Sequence, residues 1–79
     1  MGLAASEREL ADKTARFIKA ELKRARLTYA DLAVRLKEHG VHETEASISN
    51  KLSRATMPAT FLLATLAALE KGELRLADL

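Results

Sequence analysis

Between Ser6 and Arg26, Ala11, Ala15, Ile18, Leu22 and Ala25 recur at intervals of four and three, flanked by Leu10 and Phe17, and most positions between them are charged. That spacing holds the apolar side chains on one face of a helix and predicts a single amphipathic element. A second helix is announced by Thr28 three residues before Asp31, a variant of the capping box. Leu32, Ala33 and Leu36 give it a buried stripe, and Gly40 ends it. After a connection over Val41 to Thr44, a third helix is expected with Thr44 as its cap. Pro58 disfavours helical geometry at Met57 and suits the first position of the next helix. The fourth helix, Ala59 to Lys71, is apolar on nearly every side, which predicts a place in the middle of the bundle, and Gly72 stops it. The remaining "ELRLADL" is a short helix or an extended tail, because its Leu74 and Leu76 alternation finds no second strand to pair with. The pattern describes an all-α bundle of four to five helices.

The third helix, within "ETEASISNKLSRA", raises the functional question. At ~100° per residue, Ile48, Leu52 and Ala55 share one side and are expected to hold the helix onto the second and fourth helices. Glu43, Ala46, Ser47, Asn50, Ser53 and Arg54 face away, and Glu45 falls beside the apolar side. The outward set combines small residues that permit close approach, an amide that both donates and accepts, and a forked cation. Those groups suit base edges: Asn pairs bidentately with adenine, Arg with guanine, and Ala meets the thymine methyl. Ser49, Lys51 and Thr56 sit on the flanks, where phosphates would pass.

Composition narrows the possibilities further. A chain of 79 residues is one domain with a small interior, burying about 60–65% of its unfolded surface, so dense packing of Leu, Ile and Ala must stabilise it. Cysteine is absent, which removes disulfides and thiolate metal sites and makes a reducing cytoplasm the expected location. The apolar stretch around Phe61 to Leu69 is broken by Thr65 and falls far short of the ~20 residues a membrane span needs. Met1-Gly2 with Ser6 shares the outline of a myristoylation signal, but Ser6 alone supports it, and a disordered start over residues 1–5 is the expectation. Thirteen Lys and Arg against eleven Asp and Glu permit an anionic partner without requiring one.

The order of elements carries a resemblance. A helix is followed by "TYADLAVRL", a turn, "ASISNKL", a loop ending in Pro58, and the apolar "FLLATLAAL". Together these resemble the helix-turn-helix domain of the Cro and phage-repressor (lambda repressor-like) type, over roughly Phe17 to Leu79. In that likeness Thr28 caps the first motif helix and Tyr29 lies where a polar residue touches phosphate. Ser47 to Ser49 open the recognition helix, with Ile48 as its inward anchor. The implied function is sequence-specific binding of double-stranded DNA as a small transcriptional regulator. Ser47, Asn50, Arg54 and Ala46 would read the major groove, and Thr28, Tyr29, Ser49, Lys51 and Thr56 would hold the backbone. A homodimer on a two-part site is expected by analogy, with Leu74, Leu76 and Leu79 as its candidate surface. The sequence departs from that pattern by about five residues inserted across the end of the second helix and the turn, and by Ala55 where a loop glycine is common.

Other chemistries find less support. His39 and His42 with Glu38 and Glu43 invite a metal reading, but Gly40 interrupts the helix between them and no Cys completes a set. Lys19, Lys23, Arg24 and Arg26 cluster where they would stabilise the carbonyl end of the first helix. No phosphate loop, paired buried carboxylates or nucleophile with its base stands out, so neither catalysis nor a cofactor is expected. The alternative class is a helical protein-interaction module, an adaptor or antitoxin-like partner, favoured by the low net charge, by Glu43 and Glu45, and by the lengthened turn.

Overall fold

A computed structural model describes residues 2–79 as a small all-α bundle. Its elements are α1 (Glu7–Ala25), α2 (Tyr29–Glu38), α3 (Glu45–Arg54), α4 (Ala59–Ala68) and a 3-10 turn at Leu76–Asp78. Among the described residues no helix is long and apolar enough to cross a membrane. Met1 lies outside the described residues. Residues 2–5 are irregular, and the Lys13 ammonium donates to the Leu3 carbonyl at 2.8 Å.

Three of the four N-termini are capped by side chains. The Ser6 hydroxyl accepts from the Glu9 N–H. Thr28 with Asp31, and Thr44 with Ser47, close reciprocal capping boxes. Pro58 is itself the N-cap of α4 rather than its first helical residue, and it offers no side-chain bond.

The core is built from Ile18, Leu22, Leu32, Leu36, Ile48, Leu52 and Phe61, all within a few per cent of complete burial. Each such side chain contributes about 1.5–3 kcal/mol through removal from water. Three placements differ from the periodicity. Ala25 is exposed, because the chain leaves the helix axis at Arg26, and Ala33 is only half-buried. The main neighbours of α3 are α2 and α1, whereas α4 packs chiefly on α2. Ala11 and Ala15 on α1 supply small side chains to the core there. As a consequence α4 is not enclosed: Ala59, Thr60, Leu63 and Ala67 lie on an outer face, with Leu63 62% exposed.

The helices also end in one common way. Arg26, Gly40, Ala55 and Glu70 all adopt positive φ, and the following residue donates back to the carbonyl five positions earlier: Leu27 to Leu22, Val41 to Leu36, Thr56 to Lys51, Lys71 to Leu66. This is the left-handed closing turn in which glycine is the usual occupant, yet only one of the four positions holds glycine. It also moves the end of α4 from Lys71 to Ala68, with Glu70 rather than Gly72 in the left-handed conformation. An early end suits the packing, since it turns Leu74 and Leu79 back onto the core. The Ala68 carbonyl, freed at that end, accepts from the Arg35 guanidinium at 3.0 Å.

Candidate nucleic-acid interface

Ile48 is fully buried and Leu52 nearly so, and this pair sets the rotation of α3. Ala46, Asn50, Ser53 and Arg54 are thereby exposed. None of the four side chains has a hydrogen-bonding or ionic partner in the described residues. Arg54 takes part only through its carbonyl, which accepts from the Arg8 guanidinium at 3.2 Å and from the Thr56 hydroxyl at 3.1 Å. The face therefore presents an amide, a hydroxyl and a guanidinium with their bonding capacity unspent.

Two residues expected on this surface are committed elsewhere. The Ser47 hydroxyl accepts from the Thr44 N–H at 2.8 Å and donates to Glu43 Oε1 at 2.6 Å, so it builds the N-terminus of α3. The Lys51 ammonium donates to the same Glu43 oxygen at 2.9 Å and lies 5.8 Å from the centre of the Phe61 ring. Lys51 is thus a strut between the α3 entry and α4. Burial pushes the Glu43 carboxyl upward, but the Ser47 hydroxyl and the Lys51 ammonium outweigh that and hold it below the ordinary glutamate range. Glu45 departs from expectation in the opposite sense: it is exposed and has no ion pair among the described residues. As the first residue of α3 it gains from the helix N-terminus without needing a neighbour.

The remaining predicted positions lie on the flank and end of α3 and at the start of α2. Ser49 is half-buried on the flank of α3, and Thr56 is exposed just past its end. Thr28 is exposed at the start of α2, its hydroxyl oxygen accepting from the Asp31 N–H at 3.1 Å, so its O–H remains able to donate outward. The Thr28 backbone N–H, bonded in return to Asp31, holds that carboxyl below its ordinary range. Tyr29 is half-buried against the core. The connection from α2 to α3 runs over the six residues 39–44, longer than the three to four of a tight helix-turn-helix. His39 and His42 are exposed on it, and among the described residues no three His, Asp or Glu side chains converge as metal ligands would.

Residues 10–74, which hold all of α2, α3 and α4 and most of α1, match the family model described as Domain of unknown function (DUF6471). The chain belongs to that family. No curated protein and no solved structure matches it. The DUF6471 match begins within α1 and stops before the 3-10 turn.

The structure also separates the Leu-rich end. Leu74 and Leu79 are partly buried against the core, and Leu76 alone of the three is largely exposed, at 60%. A broader apolar surface occurs at the end of α4, an open groove of about 630 Å³ whose walls include Leu62, Leu63, Leu66, Ala67 and Leu74, together with the charged Glu70, Lys71 and Glu73. Because α4 is apolar all round, its packing on α2 decides which of its apolar residues remain to line this groove.

Proposed function

We propose that this DUF6471 domain is a sequence-specific DNA-binding module of helix-turn-helix type that lays α3 in the major groove. The observation that carries the reading is the outward face of α3, where Asn50 and Arg54 stand exposed and unpartnered beside the small Ala46 and Ser53. A helix ~10–12 Å across fits a groove ~12 Å wide. Asn50 and Arg54 then meet base edges, Ala46 a thymine methyl, and Thr28, Ser49 and Thr56 the backbone.

One module makes few contacts, so the reading includes a symmetric dimer on a two-part site. The surface assigned to it is the α4 face around Leu63. Leu63 is both an exposed knob and a wall of the adjoining groove, the self-complementarity that a two-fold contact needs, and the groove's charges of both signs can pair across the axis.

Selection of binding sites from random duplexes tests the reading on the wild type, Asn50→Ala and Arg54→Ala. Each variant is expected to lose about 1–3 kcal/mol on the preferred site and to relax the choice at one base position. Unchanged preference in both would remove α3 as the reader. The alternative, a protein-interaction module, draws on the exposed Glu45, an acid at the leading end of α3. Absence of duplex binding at ~50 mM salt by the folded protein would select it.

A further inference from the structure

Along α1, Arg8, Asp12, Arg16, Lys19 and Lys23 recur at intervals of four and three and so share one flank of the helix, with Arg26 following just past its end. At ~100° per residue this flank lies roughly a quarter-turn from the buried Ala15, Ile18 and Leu22. Two contacts show that it borders α3. The Arg8 guanidinium donates to the Arg54 carbonyl, and a surface groove is walled by Asp12, Ala15, Arg16 and Lys19 from α1 and by Leu52, Ser53 and Ala55 from the α3 side.

The charges on this flank are one-sided. Asp12 is paired with Arg8 at 3.4 Å, and Glu9, at the edge of the flank beside Arg16, with Lys13 at 3.8 Å. Arg16, Lys19 and Lys23 are exposed and have no ion pair among the described residues. The other acids of α1, Glu7 and Glu21, lie on other sides of the helix, Glu21 between Arg24 and Lys71. A cation row that served only the carbonyl end of α1 would not extend back to Arg16, about two and a half turns before Ala25, because that effect fades within the last turn.

We infer that the Arg16, Lys19 and Lys23 flank of α1 is a phosphate track that follows one DNA strand at the edge of the groove occupied by α3. The inference rests on the DNA-binding reading above and adds to it a second contact element. Packed helices lie 8–10 Å apart, so with α3 in a groove ~12 Å wide, the helix beside it sits over the bordering backbone rather than over the bases. From Arg16 to Lys23 the track rises about 10 Å, enough to meet successive phosphates of one strand. Lys51, drawn onto Glu43, is replaced in this role by cations from a different helix. The flank holds position and carries no sequence choice.

Neighbouring residues provide the test. Lys23 and Arg24 occupy the same last turn, but Arg24 is turned ~100° away from Lys23 and pairs with Glu21 at 2.8 Å. Duplex affinity is measured across a salt series for wild type, Lys23→Gln, Arg24→Gln and the triple variant Arg16→Gln/Lys19→Gln/Lys23→Gln, with thermal melts establishing that each is folded. Lys23→Gln is expected to lower the slope of log affinity against log salt by about 0.9, and the triple variant by about 2.7, with site preference unchanged. Arg24→Gln should leave the slope where it was. Equal effects of Lys23→Gln and Arg24→Gln, or no effect of the triple variant on a protein that still selects its site, overturn the track and leave the α3 reading standing. Equal binding to anionic vesicles, weakened in the same way by the triple variant, also overturns it, because the flank would then serve any polyanion. A wild type that binds no duplex removes both.

Discussion

Helices α3 and α4 are both ten residues long, both end in a left-handed turn on a residue other than glycine, and both leave one face in solvent. They differ in what that face is made of. On α3 the apolar residues are few and correctly spaced, so burying Ile48 and Leu52 leaves a polar surface with Asn50 and Arg54 uppermost. On α4 apolar residues occur all round, so burying Phe61, Ala64, Thr65 and Ala68 still leaves Leu63 and Ala67 outside. An amphipathic helix records its own orientation, and a uniformly apolar one takes its orientation from its neighbours. The first leaves a polar face in solvent, the second an apolar one.

The largest way to break the contrast is to exchange the fates of two leucines. Leu52→Ala should cost about 2–5 kcal/mol, since a fully packed side chain is lost and a cavity is left behind. Leu63→Arg should change monomer stability by less than about 0.5 kcal/mol, because the side chain is mostly in water already. Denaturant melts measure both, and sedimentation of Leu63→Arg asks in addition whether a dimer is lost. Similar losses of stability for the two would place Leu63 in the core and dissolve the distinction.

In α4 and its closing turn two further changes should raise stability. Thr65 is completely buried and its hydroxyl has no hydrogen-bond partner among the described residues, so Thr65→Val, of nearly the same shape, should gain about 1–3 kcal/mol by removing an unsatisfied group. Glu70 holds φ 57 at the closing turn, where a side chain costs ~1–2 kcal/mol that glycine avoids. Glycine surrenders more backbone freedom on folding, about 0.5–1 kcal/mol, so Glu70→Gly should gain less than Thr65→Val, under about 1 kcal/mol. A loss in the melts for Glu70→Gly would mean that the glutamate side chain stabilises the turn in some other way.

How far these features were legible follows from how local their causes are. The Thr28–Asp31 capping box, the Thr44 cap and the anchors Ile48 and Leu52 depend on residues three or four apart, and they stand as the spacing indicates, whereas Ser47, outward on the helical wheel, instead closes a second box. The end of α4 depends on where Leu74 and Leu79 must return, and Gly72 proved a misleading stop. The commitment of Lys51 to Glu43 spans eight residues and a turn, so a helical wheel that shows only α3 leaves Lys51 free. The cationic flank of α1 is regular in sequence, but its meaning depends on α3 lying beside it, a contact across about thirty-five residues. A row of Arg and Lys on one flank of an otherwise mixed helix is the signal that could have raised the question.

The smallest effect sharpens the comparison at the other end of the two helices. The start of α3 is held by ionisable chemistry, Glu43 with Ser47 and Lys51, whereas α4 starts at Pro58 with no side-chain bond. Burial raises the Glu43 carboxyl, but the two partners bring it below its ordinary value of 4.5, so the folded protein binds that proton less readily than the unfolded chain does. For a depressed carboxylate the stabilisation is fully present above the unfolded value and is lost as pH falls through the folded one. Asp31, lowered by the Thr28 backbone N–H, adds to the same trend but is fully exposed. Stability should therefore be flat near neutrality and decline as pH drops below about 4.5. Glu43→Gln should be less stable than wild type at neutral pH by under about 1 kcal/mol and should decline less steeply in acid, so that the two curves converge. The measurement is a series of denaturant melts from neutral pH into the acid range on both proteins. Parallel curves would mean that Glu43 and Lys51 hold α3 no more firmly than Pro58 holds α4, and the polar entry of α3 would lose its claim to position the face that follows it.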